Sequence, residues 1–321
     1  MKATILEGFP TEEDLRREAA LLREPEGGDQ WILREGPDSV VIGKNQNLWQ
    51  EVAAAQVFQR RIPLFRRVSG GGAVFHTKGN LIFTHLFHST RLLDFEALLA
   101  PIIEAFLPLG IRLERRNCSD LFLPDGRKVS GNAVARRGDW WLHHGTLLVA
   151  ADMGYRHLLG NSLGPHLRSR AVPSRPSPVG NLSDRIPGLT VGSAMQAILD
   201  YLQPEIVETV PLTHSGNRPL PSHPPSPDFD WLLGNSLPYS FETDLGEAGG
   251  HFRLHCRKGR FESLQVLQNS TPETRRLAEL IPGTWHHPEA IVELAIRSGL
   301  SAPLALALTF PQSAPSYPLS G

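Results

Sequence analysis

The chain has 321 residues, 40% apolar and 20% charged, a globular profile that excludes collagen, a coiled coil and a chain disordered throughout. Lys plus Arg number 32 against 33 Asp plus Glu, a formal charge of −1 with no long run of one sign, which disfavours a dedicated nucleic-acid binder. Two cysteines, Cys118 and Cys256, are too few for a disulfide framework or a four-cysteine metal site and fit a reducing cytoplasm. The N-terminus turns acidic at Glu7 and reads as neither a secretion signal nor a transit peptide. No apolar stretch approaches the ~20 residues that cross a bilayer, so a soluble cytoplasmic protein with no membrane partner is expected.

In chain order, Thr11 with Asp14 three residues on resembles a capping box, and Leu15, Ala19 and Leu22 recur at helical spacing, predicting a helix over 11–23. Residues 31–34 and 39–42 are short apolar strands. Residues 80–87 are apolar on both alternating faces, as an inner strand requires. A helix over 94–106 buries Phe95, Leu98, Leu99, Ile102 and Phe106. A strand over 140–150 and a helix over 191–202 follow.

Six prolines between Pro211 and Pro227 favour extended backbone and bury little, which marks a linker. Beyond it, His251–Arg257 alternates, turns at Lys258-Gly259 and returns through Phe261, Leu264 and Val266 as a hairpin. Thr271 caps a helix opened by Pro272, and a second helix runs from Pro288 to about Gly299. The expected domains are thus a catalytic domain over 1–210, a linker over 211–227, a small α+β domain over 228–310 and a flexible tail over 311–321.

Chemistry concentrates in four segments. The first, Arg66-Arg67-Val68-Ser69-Gly70-Gly71-Gly72-Ala73-Val74-Phe75-His76, is followed by Gly79-Asn80. Three glycines in a row disfavour regular structure but offer N–H groups that cradle an anion, with two arginines alongside. It is neither a Walker loop nor a Rossmann fingerprint. The second, Asn117-Cys118-Ser119-Asp120 and then Gly126-Arg127-Lys128-Val129-Ser130-Gly131-Asn132-Ala133, sets one of only five lysines between Arg127 and an expected Ser-Gly-Asn-Ala turn. Such a lysine can bridge a carboxylate and a phosphate, though this segment alone fits better a solvated lysine in a hairpin turn begun by Asp125-Gly126; Asp120 can meet a nucleotide-bound metal or simply cap the turn. In the third, Trp140–Val149, His143 and His144 are adjacent on a strand and point to opposite faces, which argues against a shared zinc ion. The fourth, from Ser174 to Leu182, is polar and turn-rich.

Together these motifs resemble the lipoate-protein ligase A family over nearly the whole chain. Val40–Asn47, the RRVSGGGAVFH run, GRKVSGNA, HHGTLL and the pattern from Ser174 occur in the family's order, and Trp231, Gly234, Pro238 and Phe241 precede a hairpin as in its accessory domain. The resemblance implies an α/β fold: a large biotin/lipoate-ligase-like domain with a mixed β-sheet and flanking helices, plus a small C-terminal α+β accessory domain. It implies ATP-dependent conversion of lipoate to lipoyl-AMP, then transfer to a lysine of lipoyl domains of 2-oxoacid dehydrogenase E2 subunits or of the glycine cleavage H protein. Magnesium would accompany the nucleotide, and a monomer is expected.

The same resemblance assigns Lys128 to catalysis and to both substrates. It gives Arg67, Gly72, Ala73, Val74, Phe75, Asn80 and Asp120 to ATP, with Asp120 also toward the metal. Arg67, Ser69, Gly71, His76 and Ser130 go to lipoate. Here Cys118 and Ser119 stand between Asn117 and Asp120, where the ligases often have Asn and Asp adjacent. Two alternatives stay open: an ATP-independent octanoyl or lipoyl transferase with Cys118 as nucleophile, activated by Arg115 and Arg116, and a non-catalytic lipoate-binding protein. Cys118 as a small buried residue at a strand start is the plainer expectation.

Overall fold

The computed structural model describes residues 1–25, 27–160, 166–211, 229–244, 250–269 and 271–299. The expected linker, apart from Pro211, and the expected tail lie outside the described residues. By contacts the chain forms two compact units: residues 1–43, 67–155 and 175–226 in the first, and 44–66, 156–174 and 227–321 in the second. A division in chain order at 211–227 groups residues 44–66 and 156–174 with the large domain; by contacts they join the C-terminal segment.

The first unit is built on an eight-stranded mixed sheet, with elements numbered along the whole chain. Its strands are β1 (Lys2–Glu7), β2 (Gln30–Glu35), β6 (Asn80–His88), β7 (Glu114–Arg116), β8 (Asp120–Phe122), β9 (Lys128–Arg137), β10 (Trp140–Leu148) and β12 (Ile206–Pro211). Their order is β12-β1-β2-β6-β10-β9-β8-β7, with β1 parallel to both neighbours and every other pairing antiparallel. Two further strands, β3 (Ser39–Ile42) and β5 (Val74–His76), pair antiparallel beside it. One face of the large sheet, with Trp31, Leu33, Leu81, Phe83 and Leu147, packs on Leu99, Ile102 and Phe106 of α4 (Phe95–Phe106) and on Ala194 and Ile198 of α5 (Val191–Leu202). This is the main apolar core.

The opposite face meets α1 (Thr11–Arg23), and the packing there is half apolar and half ionic. Leu22 packs on Leu86 and Leu142. One and two turns earlier on the helix, Glu18 hydrogen-bonds Thr84 at 2.5 Å and Asp14 pairs with Arg34, and all four side chains are buried. Burial pushes the Asp14 carboxyl up to about 6 against the pull of Arg34, so the carboxyl stays mostly ionised at neutral pH.

The second unit has its own four-stranded sheet, β11-β13-β14-β15, from β11 (Arg168–Ser169), β13 (Tyr239–Asp244), β14 (His251–Arg257) and β15 (Arg260–Gln268). It also holds α2 (Leu48–Glu51), α3 (Ala54–Gln59), β4 (Leu64–Arg66), α6 (Phe229–Leu232), α7 (Pro272–Leu280) and α8 (Pro288–Ser298). Two contacts join its sequence-distant segments. Fully buried Arg66 donates to the carbonyls of Lys44, Gln46 and Leu232 and to Ser236 Oγ, at 2.6–3.1 Å. Fully buried His286 stacks on Trp49 at 3.9 Å and on Phe241 at 4.9 Å.

The α/β architecture with a mixed sheet agrees with the sequence expectation, and β6 is an inner strand between β2 and β10. Three local expectations differ. Pro10, not Thr11, is the N-cap of α1; Thr11 lies inside the helix and its hydroxyl meets Ser39 Oγ at 2.8 Å. Phe95 is only half-buried at the first turn of α4, because Asp94 caps that helix and turns the stripe to Leu98 onward. Ser130–Ala133 is no turn but the middle of β9, since pairing with β10 outweighs the local preference of Gly-Asn. Replacing Asp14 with Ala should lower the unfolding free energy by about 3–5 kcal/mol in urea titration, because Arg34 is left buried without its partner; Asp14→Leu with Arg34→Met should recover most of it.

Candidate active site

The glycine-rich loop over 69–73 is shaped from beneath by Arg67. Its guanidinium, 6% exposed by residue, donates to the carbonyls of Gly70 (2.6 Å), Gly72 (2.8 Å) and Val41 (3.3 Å) and to Ser69 Oγ (3.0 Å). Burial draws it down to about 10, so it stays cationic at neutral pH. With the carbonyls turned toward Arg67, the N–H groups of Gly70, Gly71 and Gly72 donate to nothing among the described residues. Gly71 sits at φ +86°, a region open to glycine. Close approach explains Gly43 as well: a Cβ there would stand 2.2 Å from the Gly71 carbonyl oxygen. Unpaired amides in a glycine loop over a buried cation form an anion cradle.

Lys128 faces this cradle because of a β-bulge. Leu121 pairs with Ser130 but Phe122 pairs with Lys128, so Val129 is an extra residue in β9. The bulge leaves Val129 and Ser130 toward the α4 side and sends Lys128 to the same face as Gly131. The Lys128 ammonium pairs with Asp120 at 2.8 Å and would lie 3.2 Å from a Cβ on Gly131. Two residues on, the Ala133 methyl lies 3.6 Å from a Cβ placed on Gly71, which links lysine and loop across one surface. The segment after Ser174 straps this start of β9: Lys128 N–H donates to Pro178 O at 2.8 Å and Gly180 N–H to Lys128 O at 3.0 Å.

Behind the loop runs a relay that sequence reasoning did not assign. Ser69 Oγ lies 2.6 Å from His144 Nε2, and His144 Nδ1 lies 2.8 Å from Glu18 Oε2. The available signal was a pair of carboxylates, Asp14 and Glu18, on the same side of α1 as Leu15, Leu22 and Ala19. His143 and His144 do point to opposite faces, His143 Nε2 meeting Asn132 Oδ1 at 2.9 Å on the α4 side.

The remaining expected residues divide. Val74 and Phe75 continue from the loop into β5, with Phe75 stacked on Tyr155 at 4.5 Å, and Ala73 precedes them. His76 is buried and neutral, held well below its ordinary value by burial and by the charges of Arg34, Arg67 and His144. Ser130 is turned to the opposite face, where its hydroxyl accepts from Asn132 at 3.0 Å. Asn80 is buried with its amide donating to the carbonyls of Leu81 and Leu147. Cys118 is exposed rather than buried: it sits at φ +75° in the β7–β8 turn, with its carbonyl accepting from Arg115 at 3.1 Å. Among the described residues no three His, Cys, Asp or Glu side chains converge to hold a metal ion, and no helix is long and apolar enough to cross a membrane.

Comparison with known proteins places this geometry. Residues 10–203 match the family model of the lipoyl protein ligase A/B catalytic domain, and the chain belongs to that family. Its fold is similar to that of P. falciparum LipL1, whose structure holds lipoate, with a TM-score of 0.61 at 18% identity over 92% of this chain and 94% of that one. It is also similar to a bi-partite lipoate protein ligase from Thermoplasma acidophilum, described with its E2 lipoyl domain (TM-score 0.54, 23% identity, 65% of this chain and 88% of that one). A lipoate-protein ligase A bound with ATP gives 0.53 at 22% identity, over 65% of this chain and 90% of that one. Gly43→Ala should displace the loop backbone: equilibrium titration with pyrophosphate as an anion probe is expected to show binding weakened about tenfold or more, the 1.4 kcal/mol scale of one well-made hydrogen bond.

Proposed function

We propose that the chain is an ATP-dependent lipoate-protein ligase. The observation that carries this reading is the single surface on which the Lys128 ammonium and the unpaired amides of Gly70–Gly72 stand, joined through Gly131 and Ala133. A lipoate carboxylate oxygen attacks the α-phosphorus of ATP, the bond to the bridging oxygen breaks, and pyrophosphate leaves. Two anions must meet in that step, so fixed cations and amide donors at the reacting centre lower its barrier.

Each residue then has a role. The loop amides hold nucleotide phosphate oxygens. Lys128 bridges the acyl carboxylate and the α-phosphate, releasing Asp120 from their ion pair. Arg67 keeps the loop carbonyls turned away and contributes its charge from below. Asp120 is the carboxylate that would meet a nucleotide-bound magnesium, which would be held mostly by phosphates and water and would neutralise phosphate charge. The acceptor lysine, on a lipoyl domain of an E2 subunit or on the glycine cleavage H protein, attacks the acyl carbon of lipoyl-AMP, and AMP departs.

Exposure of Cys118 keeps an acyl-transferase reading testable. Purified protein, an apo lipoyl domain and lipoate should give an acceptor heavier by one lipoyl group only when ATP and magnesium are present, read by mass spectrometry. Labelling from an octanoyl thioester donor without ATP, abolished by Cys118→Ala, would overturn the ligase reading. Under that reading Cys118→Ala keeps full activity, while Lys128→Ala lowers pyrophosphate release by about 10²-fold or more.

A further inference from the structure

Glu18, His144 and Ser69 form a hydrogen-bonded chain that ends at the glycine-rich loop. All three residues are more than nine-tenths buried. Glu18 Oε1 accepts from Thr84 at 2.5 Å, and its Oε2 faces His144 Nδ1 at 2.8 Å. On the other side of the ring, Nε2 faces Ser69 Oγ at 2.6 Å. That oxygen also accepts from Arg67 Nε–H at 3.0 Å. A serine hydroxyl has two lone pairs and one proton. If Nε2 carries a proton, both lone pairs are taken, one by His144 and one by Arg67. The hydroxyl proton is then left to donate, and among the described residues it has only the Gly70 carbonyl, at a long 3.4 Å.

We propose that Glu18 and His144 are positioning residues that hold Ser69 as an obligate hydrogen-bond donor toward the acyl carboxyl group. In this proposal the ring carries a proton on each nitrogen, donating Nδ1–H to the Glu18 carboxylate at 2.8 Å and Nε2–H to the hydroxyl at 2.6 Å. Burial pushes the Glu18 carboxyl up, but the His144 charge and the bonds from His144 and Thr84 outweigh it and leave it below its ordinary value. The charged groups around the ring are balanced: Asp14 and Glu18 on α1, Arg34 on β2 and Arg67 at the loop, with neutral His76 on β5 and neutral His143 beside it on β10. The place of the hydroxyl fits the role. Ser69 opens the anion cradle, and His144 pairs with Ala133, two strand residues or about 7 Å along β9 from Gly131, beside which the Lys128 ammonium lies. Lysine and serine would thus engage the same carboxyl group from two sides, the lysine by charge and the serine by direction.

The identity of the acyl group rests on the ligase reading, and the experiment separates the two. Steady-state pyrophosphate release is measured for the wild type, Ser69→Ala, Glu18→Gln, His144→Gln and Ser69→Ala with Glu18→Gln. Each single change is expected to lower kcat/KM for lipoate on the order of 10²-fold while the KM for ATP is unchanged. The double variant is expected to be no slower than Ser69→Ala, because both changes remove one device. Losses that multiply in the double variant, or Glu18→Gln at the wild-type rate, overturn the proposal. If Glu18→Gln does not fold, Ser69→Thr restoring and Ser69→Ala abolishing activity test the hydroxyl alone. In parallel, ¹⁵N-imidazole spectra should show His144 protonated on both nitrogens in the wild type and on one in Glu18→Gln. An unprotonated Nε2 in the wild type overturns the proposal whether or not any pyrophosphate is released. A wild type silent toward ATP and lipoate but carrying the doubly protonated ring refutes the ligase reading and leaves the relay standing.

Discussion

A guanidinium enclosed by carbonyl oxygens governs the first unit. Arg67 is surrounded by acceptors from its own loop and from β3, and among the described residues no carboxylate pairs with it directly. Its role is therefore polarity of the backbone rather than ion pairing: by drawing the carbonyls of Gly70 and Gly72 inward it makes the outer surface of the loop a row of donors. Three glycines permit this, since side chains at Gly71 or at Gly43 would collide with the arginine or with the loop. The adjacent arginine does comparable work elsewhere. Arg66 gathers carbonyls from residues far apart in sequence inside the second unit, so two neighbouring residues of one type organise two different bodies.

Burying charge is expensive, and the space between α1 and the sheet contains an unusual amount of it. Asp14 and Arg34, Glu18 and His144, and Arg67 all lie where an apolar cluster would give equal or greater stability. An apolar face would hold α1 but would leave Ser69 undirected and the loop unbraced. The helix thus contributes apolar contact at Leu22 and polar direction at Glu18 from a single side, with packing at one end and site chemistry at the other.

Sequence periodicity made α1, α4, α5, the inner strand β6 and the hairpin of β14 and β15 legible, because each has a stripe or alternation that the structure buries. The edge strand β12 was missed: it is largely exposed and leads into a proline-rich stretch, so no alternation marks it. Strand β1 begins at the second residue and was passed over as a short apolar run. The glycine loop and Lys128 stood out through glycine density and lysine rarity. Glu18 and His144 did not, since carboxylates four apart on a helix look like a solvated face until the partner strand is in place. The resemblance gives Ser130 to lipoate, whereas the bulge turns its side chain to the face opposite Lys128.

The extra residue in β9 makes the chemistry of this strand a matter of parity. Side chains along a regular strand alternate with a period of two, so the face that Lys128 occupies depends on whether the number of residues between it and Gly131 is odd or even in the ladder. With Val129 as the extra residue of the bulge, the lysine shares a face with Gly131; in a regular ladder of the same residues it would share a face with Ser130 and Asn132 and lie in the apolar layer beneath. The face that Lys128 takes is therefore set by how this stretch pairs with β8. The bulge carries functional information that residue identities alone do not.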